Sequence, residues 1–405
     1  MDHVLPKVGD LILWHGKPAR VQTAIIAGNS TYVTTADHDD GVVEIYAPSY
    51  RRLDPKEFHG PEWELLLSHN CRIGQSGTDP EIFAFDTSGQ VVPSFTFLHS
   101  KQRAEEEFKA KHANFGGPIF WDGFQAEMAP WPNRCHETVI SHIRKCLTDM
   151  ASKLPPGAGL QTADCVEVPL EVLQAANPHF VEFGCSPSFN AYGPEVYPPI
   201  YFSDPYEHRL RYSGCHLHYS WDAHNLPETP SWFPNGTVVM MDKIAGVLLT
   251  AFGRGLEDPR RRAAYGRPGE YRLPGPRRLE YRTPGSYLLR NPRIFHFALD
   301  VGRLSLTLGL HKDGRNASWL GDEAHQIITA CDADAACQYI KRHWDVFKSV
   351  MGKLYGASKA ERALNLVMQG ALSAGMVEGP LLPKWQVEDS RPKSFIAQLT
   401  GEPLR

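Results

Sequence analysis

One spacing constrains this chain more than any other feature. Side chains able to do chemistry recur two residues apart: Asp79 and Glu81, Gln125 and Glu127, His216 and His218, Glu280 and Arg282. Between the members of each pair stands Pro80, Ala126, Leu217 or Tyr281. A strand sends residues i and i+2 to the same face, so each pair reads as the polar face of a strand whose other face is apolar.

Two carboxylates on one face, as at Asp79 and Glu81, either repel or share cations, and oxygen ligands suit Mg²⁺ or Mn²⁺. Glu127 stands among Trp121, Phe124 and Met128, where an unpaired charge is costly, so it calls for a cation or an arginine. His216 and His218 form an H-x-H pair able to bind a metal or to place an imidazole beside a phosphate, while Cys215 has the wrong parity to join them. The segment from Arg260 to Pro284 carries eight arginines, two glutamates and four prolines. That density of Pro and Gly predicts a loop entering a strand at Leu279-Glu280-Tyr281-Arg282. Arginines on a loop beside carboxylates suit a polyphosphate, because guanidinium is a permanently charged bidentate donor. A Walker A loop and a G-x-G-x-x-G loop are both absent, so a nucleotide would need another architecture.

Composition narrows the classes. With 46 acidic and 42 basic residues the net charge is −4, so no bulk basic field draws the chain to nucleic acid or an anionic membrane. The longest apolar run, Thr237 to Phe252, contains Asp242 and Lys243 and falls short of the roughly 20 apolar residues that span a bilayer. The first residues lack a signal-peptide pattern, which favours the cytoplasm, and the eight cysteines show no C-x-x-C, so they are expected to be buried thiols rather than disulfides.

A length of 405 residues predicts two or three domains. Residues 1–66 read as a small antiparallel β domain whose Lys7-Val8-Gly9-Asp10 opening resembles SH3-like barrels, with Trp14, Tyr32, Tyr46, Arg51 and Arg52 as a candidate binding face. The stretch Arg51 to Glu64 reads as a linker. Residues 67–320 form the site-bearing core, and 321–405 a helical extension. Helices are predicted at 134–154 with Asn133 as N-cap, at 237–252, at 334–354, and from a capping box at Ser358-Lys359-Ala360-Glu361. A hairpin is predicted over 82–92, and an extended tail beyond Gly379.

The order of the segments carries a resemblance. The succession G-T-D-P-E-I-F, D-G-F-Q-A-E, F-G-C-S-P-S-F-N-A-Y, S-G-C-H-L-H and Y-G-R-P-G-E-Y-R followed by L-E-Y-R-T-P resembles the phage COOH-NH2 ligase type 2 family, the phiEco32-like amidoligases, over about residues 70 to 310. That family is similar in its core to glutamine synthetase and glutamate-cysteine ligase. The resemblance implies an α+β fold, with a curved antiparallel glutamine synthetase-like sheet, flanking helices, ATP, and Mg²⁺ or Mn²⁺. It implies metal ligands at Asp79, Glu81, Glu127, His216 and Glu280, with catalytic roles for Arg282, Arg267 and His216. It implies nucleotide contacts from Arg262, Arg272, His218 and Gln125. A further family acid is missing from Gly117-Pro118-Ile119-Phe120, where Asp122 is the substitute, and Ser188 stands where the family favours an acid.

The implied reaction joins a carboxylate to an amine through an acyl phosphate at the expense of ATP, in the host cytoplasm if phage-encoded. The substrates stay open: small molecules, a peptide or a modified nucleobase. Two other readings stay open as well, an H-x-H metal-dependent hydrolase or oxygenase, and a non-enzymatic phage nucleic-acid-binding or assembly protein with a decayed ligase core.

Overall fold

The computed structural model describes strands at 11–14, 17–27, 30–35, 43–45 and 51–52, and residues 73–386 except 111–115, 182–187, 194–195, 198–205, 222–228 and 318–319. The N-terminal strands β1 (Leu11–Trp14), β2 (Lys17–Ala27), β3 (Ser30–Thr35), β4 (Val43–Ile45) and β5 (Arg51–Arg52) form one antiparallel sheet in the order β4-β3-β2-β1-β5. β5 falls inside the segment read as a linker, where Arg51 and Arg52 pair with Leu13 and Ile12. The side chains of the candidate binding face and the 66/67 boundary lie outside the described residues.

The large sheet is ten-stranded and antiparallel. Its members are β6 (Ile73–Phe85), β7 (Val91–Val92), β8 (Ile119–Asp122), β9 (Gln125–Met128), β10 (Gly159–Gln161), β12 (Ser188–Asn190), β13 (Val196–Tyr197), β15 (Cys215–Trp221), β16 (Glu270–Arg272) and β17 (Arg278–Tyr281). The order is β13-β12-β16-β17-β15-β6-β9-β8, with β7 and β10 also on β6. A separate pair joins β11 (Cys165–Glu167) to β14 (Leu210–Tyr212). The expected hairpin over 82–92 is the β6/β7 pair.

Alternation divides this sheet into two unlike faces. Ile82, Ala126, Leu217, Tyr219, Leu279 and Tyr281 point to the back and are buried in one core with three helical segments: His136–Ala151, Asn235–Phe252 and Pro292–His311. The segment Asn235–Phe252 is long and apolar enough to cross a membrane, yet 94% of it is buried inside the protein, and it runs as π-helix over Asp242–Gly246. The C-terminal helices Ala333–Arg342, Trp344–Tyr355 and Ala357–Gln369 contribute Tyr339, Phe347 and Leu364 to the same core.

Local differences from the sequence reading have local causes. The helix expected at 134–154 spans His136–Ala151; Cys135 holds the cap position, and Asn133 Oδ1 accepts from the Cys135 N–H at 2.8 Å. The single helix expected over 334–354 breaks at His343, whose Nε2 accepts from the Gly321 N–H at 3.3 Å. Ser358 caps nothing, because the helix Ala357–Gln369 begins after Gly356 at φ 91°. The tail read as extended contains the helix Leu381–Gln386. Finally, Pro259–Ala264 is a helix, not loop: Asp258 accepts from the Arg260 N–H, and Pro259 sits at the first helical position, where its missing N–H costs nothing.

Candidate active site

The front face of the large sheet collects the paired residues. Glu81 lies opposite Glu127 across β6/β9, Asp79 opposite His216 across β6/β15, His218 opposite Glu280 across β15/β17, and Glu280 opposite Arg272 across β17/β16. Antiparallel register therefore turns the i, i+2 spacing of the sequence into a polar strip running across five strands.

The strip holds two groups of potential ligands. In one, oxygens of Glu81, Asp122 and Glu127 lie within 4.8 Å of one another. Glu81 is fixed from two directions, accepting from the Gly214 N–H and from the Tyr265 hydroxyl, each at 2.7 Å. Burial, and then Asp122, push its carboxyl up to about 8 despite the Tyr265 hydrogen bond. Burial likewise raises Asp122, and burial with Asp122, Asp79 and Glu81 raises Glu127 well above the carboxylate range. These acids lack enough positive charge. Lys101 Nζ approaches Glu127 Oε1 only to 4.0 Å.

In the second group, Asp79, His218 and Glu280 offer ligand atoms within 4.8 Å of one another. His216 Nδ1 is 3.0 Å from Asp79 Oδ1 and 3.5 Å from Glu280 Oε1, and His218 Nε2 is 3.2 Å from Asp79 Oδ2. Burial acts to raise Asp79, but His218 and His216 outweigh it and hold the carboxyl well below its ordinary value. Burial and Arg282 lower His216; burial also opposes His218, whose pKa Asp79 nevertheless raises. Close as they are, Asp79 Oδ1, both ring nitrogens of His216 and His218 Nε2 are buried without hydrogen-bond geometry to any partner. Buried polar atoms are almost always satisfied, so donor atoms crowded together yet not bonded to each other fit a cation between them.

Arginines flank the second group. Arg282 bridges Glu280 and Glu270, reaching Glu270 Oε1 at 3.2 Å, and its side chain is 2% exposed. Arg272 Nη1 lies 3.7 Å from Glu280 Oε1 with its side chain 25% exposed, the more accessible of the two guanidiniums. Glu270 also accepts from the Arg267 N–H at 2.9 Å. Burial would raise the Glu270 carboxyl, but Arg282 and the Arg267 N–H lower it.

The structure brings Asp79, Glu81, Gln125, Glu127, His216, His218, Arg272, Glu280 and Arg282 to one face, with Gln125 Nε2 3.5 Å from Asp122 Oδ2. Asp122, the substitute for the missing acid, completes the first group. His218, expected at the nucleotide from the sequence, lies in the second group with Asp79 and Glu280. Arg262, expected at the nucleotide from the sequence, is buried, paired with Glu257 and bonded to the carbonyls of Gly266 and Thr283. The helix Pro259–Ala264 turns it inward. Arg267 donates from its side chain to the Ala263 carbonyl at 3.0 Å and meets the strip through its backbone N–H.

Several participants escaped the sequence reading. Tyr265, whose ring lies edge-on to His216 at 5.5 Å and near the guanidiniums of Arg261 and Arg282, reaches Glu81 across 184 residues. Arg261 is wholly buried and donates to the carbonyls of Ser213, Thr283 and Pro284, tying the flank of β15 to the end of β17. Gly214 must be glycine there: an added Cβ would stand 2.6 Å from Arg261 Nη2. On the back face, Ser76 Oγ lies 3.1 Å from His136 Nε2, and His136 Nδ1 lies 2.8 Å from Asp300 Oδ1, a Ser-His-Asp relay joined across 60 and 164 residues. Ser76 is wholly buried, its Oγ accepts from Arg303 Nη2 at 3.1 Å, and burial, then Arg303, depress His136 to about 3. With Ser76 wholly buried and bonded to both His136 and Arg303, and with so weak a base, this relay is a structural hydrogen-bond chain.

No family model and no curated protein matches the chain. Among solved structures it is similar to apo GmaS without ligand (13% identity, TM-score 0.39, covering 96% of this chain and 86% of that one). It is similar to the GmaS/ADP complex (14%, 0.39, 84% and 76%). It is also similar to a bifunctional glutathione synthetase from Pasteurella multocida (11%, 0.41), covering 84% of this chain and about half, 52%, of that one.

Proposed function

We propose that the chain is an ATP-dependent carboxylate-amine ligase requiring Mg²⁺ or Mn²⁺, with a glutamine synthetase-like site on the front of the large sheet. The observation that carries this reading is the pair of ligand groups side by side, Glu81/Asp122/Glu127 and Asp79/His218/Glu280, with Arg272 and Arg282 at the second. Adjacent carboxylate-rich cation sites with guanidiniums alongside are the equipment of phosphoryl transfer.

Residues of both groups fit divalent cations: the first offers only hard oxygens at elevated pKa, the second buried donor atoms lacking hydrogen bonds. Bound there, such cations would neutralise charge on a transferring phosphoryl group. The protein's own part is positioning. Tyr265 and the Gly214 N–H fix the Glu81 carboxylate, and Arg282 fixes Glu280 and Glu270. Arg272, with surface access, is assigned to the polyphosphate, and the Arg282 fork stiffens the floor beneath it. Activation of the acid as an acyl phosphate and capture by an amine needs no protein nucleophile, consistent with a Ser-His-Asp relay that is buried away from the strip.

The test is ADP release with Mg²⁺ across a panel of acids and amines, with mass spectrometry of the amide formed. Tightly held zinc or iron with neither nucleotide binding nor ADP formation would replace this reading with the H-x-H metal hydrolase. DNA binding that weakens steeply with salt, without ATP turnover, would favour the non-enzymatic one.

A further inference from the structure

Lys101 opens the ten-residue helix Lys101–Ala110 at the rim of the first acid group. Its Nζ lies 4.0 Å from Glu127 Oε1 and 4.9 Å from the centre of the Phe120 ring. Phe120 is the β8 residue opposite Glu127, so the ammonium stands above the strand pair that presents the acids. The Lys101 side chain is 61% exposed and that of Glu127 13%, so a flexible stem reaches in from solvent toward a largely buried carboxylate. The geometry is that of an occupant able to leave: no hydrogen bond at 4.0 Å, and an aromatic face as a second resting place.

We propose that Lys101 is a tethered counter-ion that competes with a divalent cation for the Glu81/Asp122/Glu127 group and swings out when that cation binds. A lysine ammonium and a metal ion carry the same sign and are drawn to the same oxygens. Held close to one carboxylate, they repel each other. Lys101 thereby sets the cation concentration at which the site loads, and its withdrawal returns a positive charge to the rim. The inference rests on the reading of this group as a cation site and not on which substrates are joined.

The experiment is Mn²⁺ titration of the full chain, followed by electron paramagnetic resonance without nucleotide, for the wild type, Lys101→Met, Lys101→Arg and Glu127→Gln. Lys101→Met is expected to bind Mn²⁺ about tenfold more tightly at the site that Glu127→Gln removes, the effect of deleting one nearby like charge. Lys101→Arg should keep the wild-type affinity within about threefold, because the charge remains. Unchanged or weaker binding in Lys101→Met overturns the proposal, including the case in which only its melting temperature falls and Lys101 merely anchors its helix. Absence of Mn²⁺ binding from both the wild type and Lys101→Met overturns it too. A Glu127-dependent Mn²⁺ site that tightens in Lys101→Met, in a protein that forms no ADP with any acid and amine, would sustain the role of Lys101 and remove the ligase reading alone.

Discussion

Strand β6 has two faces that hold the same kinds of residue to opposite ends. On the front, Asp79 and Glu81 meet histidines and further acids, and donor atoms are left buried without hydrogen bonds. On the back, Ser76 continues into His136 and Asp300 by hydrogen bonds, and His296 Nδ1 lies 3.1 Å from Asp300 Oδ2, with neither of its ring nitrogens in hydrogen-bond geometry. The Ser-His-Asp chain has the outward form of a catalytic triad with its hydrogen bonds made; the strip has no such form and crowds acids and ring nitrogens that are not bonded to one another. On the proposed reading function goes with the strip, where several such groups face each other and would gain from a ligand.

Substitutions that separate the faces sharpen the contrast. On the proposed reading the largest effect is expected from Glu127→Gln, which should lower kcat for ADP formation by about 10³, because a ligand is lost from the cation that would neutralise transition-state charge. Its melting temperature should hold or rise, since burial already disfavours the charged form. A large drop in melting temperature would make Glu127 structural. Next is Asp300→Asn, which strands His296 and should cost about 3 kcal/mol in chemical denaturation while leaving kcat of the folded protein intact.

The two histidines beside Asp300 respond to pH in opposite senses. Burial and then Arg303 depress His136 to about 3 against the pull of Asp300, so it stays neutral in the fold and its stability is lost as pH falls below roughly 6.5 and the unfolded chain takes the proton. His296 is opposed by burial but raised by Asp300 to about 10, so its contribution is complete below roughly 6.5 and is lost as pH rises toward 10. Melting temperatures across pH should show both flanks in the wild type, and a flattened alkaline flank in Asp300→Asn. An alkaline flank identical in the two proteins would dismiss the His296 assignment.

Arg282→Lys comes third. A lysine cannot bridge Glu270 and Glu280 as a planar fork does, so kcat should fall by about 10², with a smaller change in ATP affinity. Loss of affinity with kcat intact would place Arg282 on the ground-state nucleotide. The smallest effect is Ser76→Ala, about 1 kcal/mol of stability and no change in turnover. Abolished turnover there would reverse the comparison and make the relay the reactive centre.

Much of the front face was legible because strand parity is written locally. Each i, i+2 pair declares a shared side, and the apolar residue between declares the other. What the sequence hid is tertiary. Nothing near Ser76 announces His136 or Asp300, and nothing near Glu81 announces Tyr265. The sequence reading named neither Lys101 nor Glu270 as a site residue. The burial of Arg262 has a local cause: Asp258-Pro259 is a helix-start signal, and the helix it opens turns the arginine inward.

The company kept by β6 also fixes when this centre can come into being. Its hydrogen bonds run to partners far along the chain, Thr78 to His216 across 138 residues and Glu81 to Tyr265 across 184. Such long loops must close before any reward is collected, which slows folding. During synthesis at about 5–20 residues per second, Glu280 follows Asp79 by on the order of ten to forty seconds. Until His216 is added, the nascent chain carries the first acids of the strip with neither their histidines nor their arginines. On the proposed reading, cation capture by all of these groups together therefore waits for Glu280, and a nascent chain stalled before it holds only fragments of the strip.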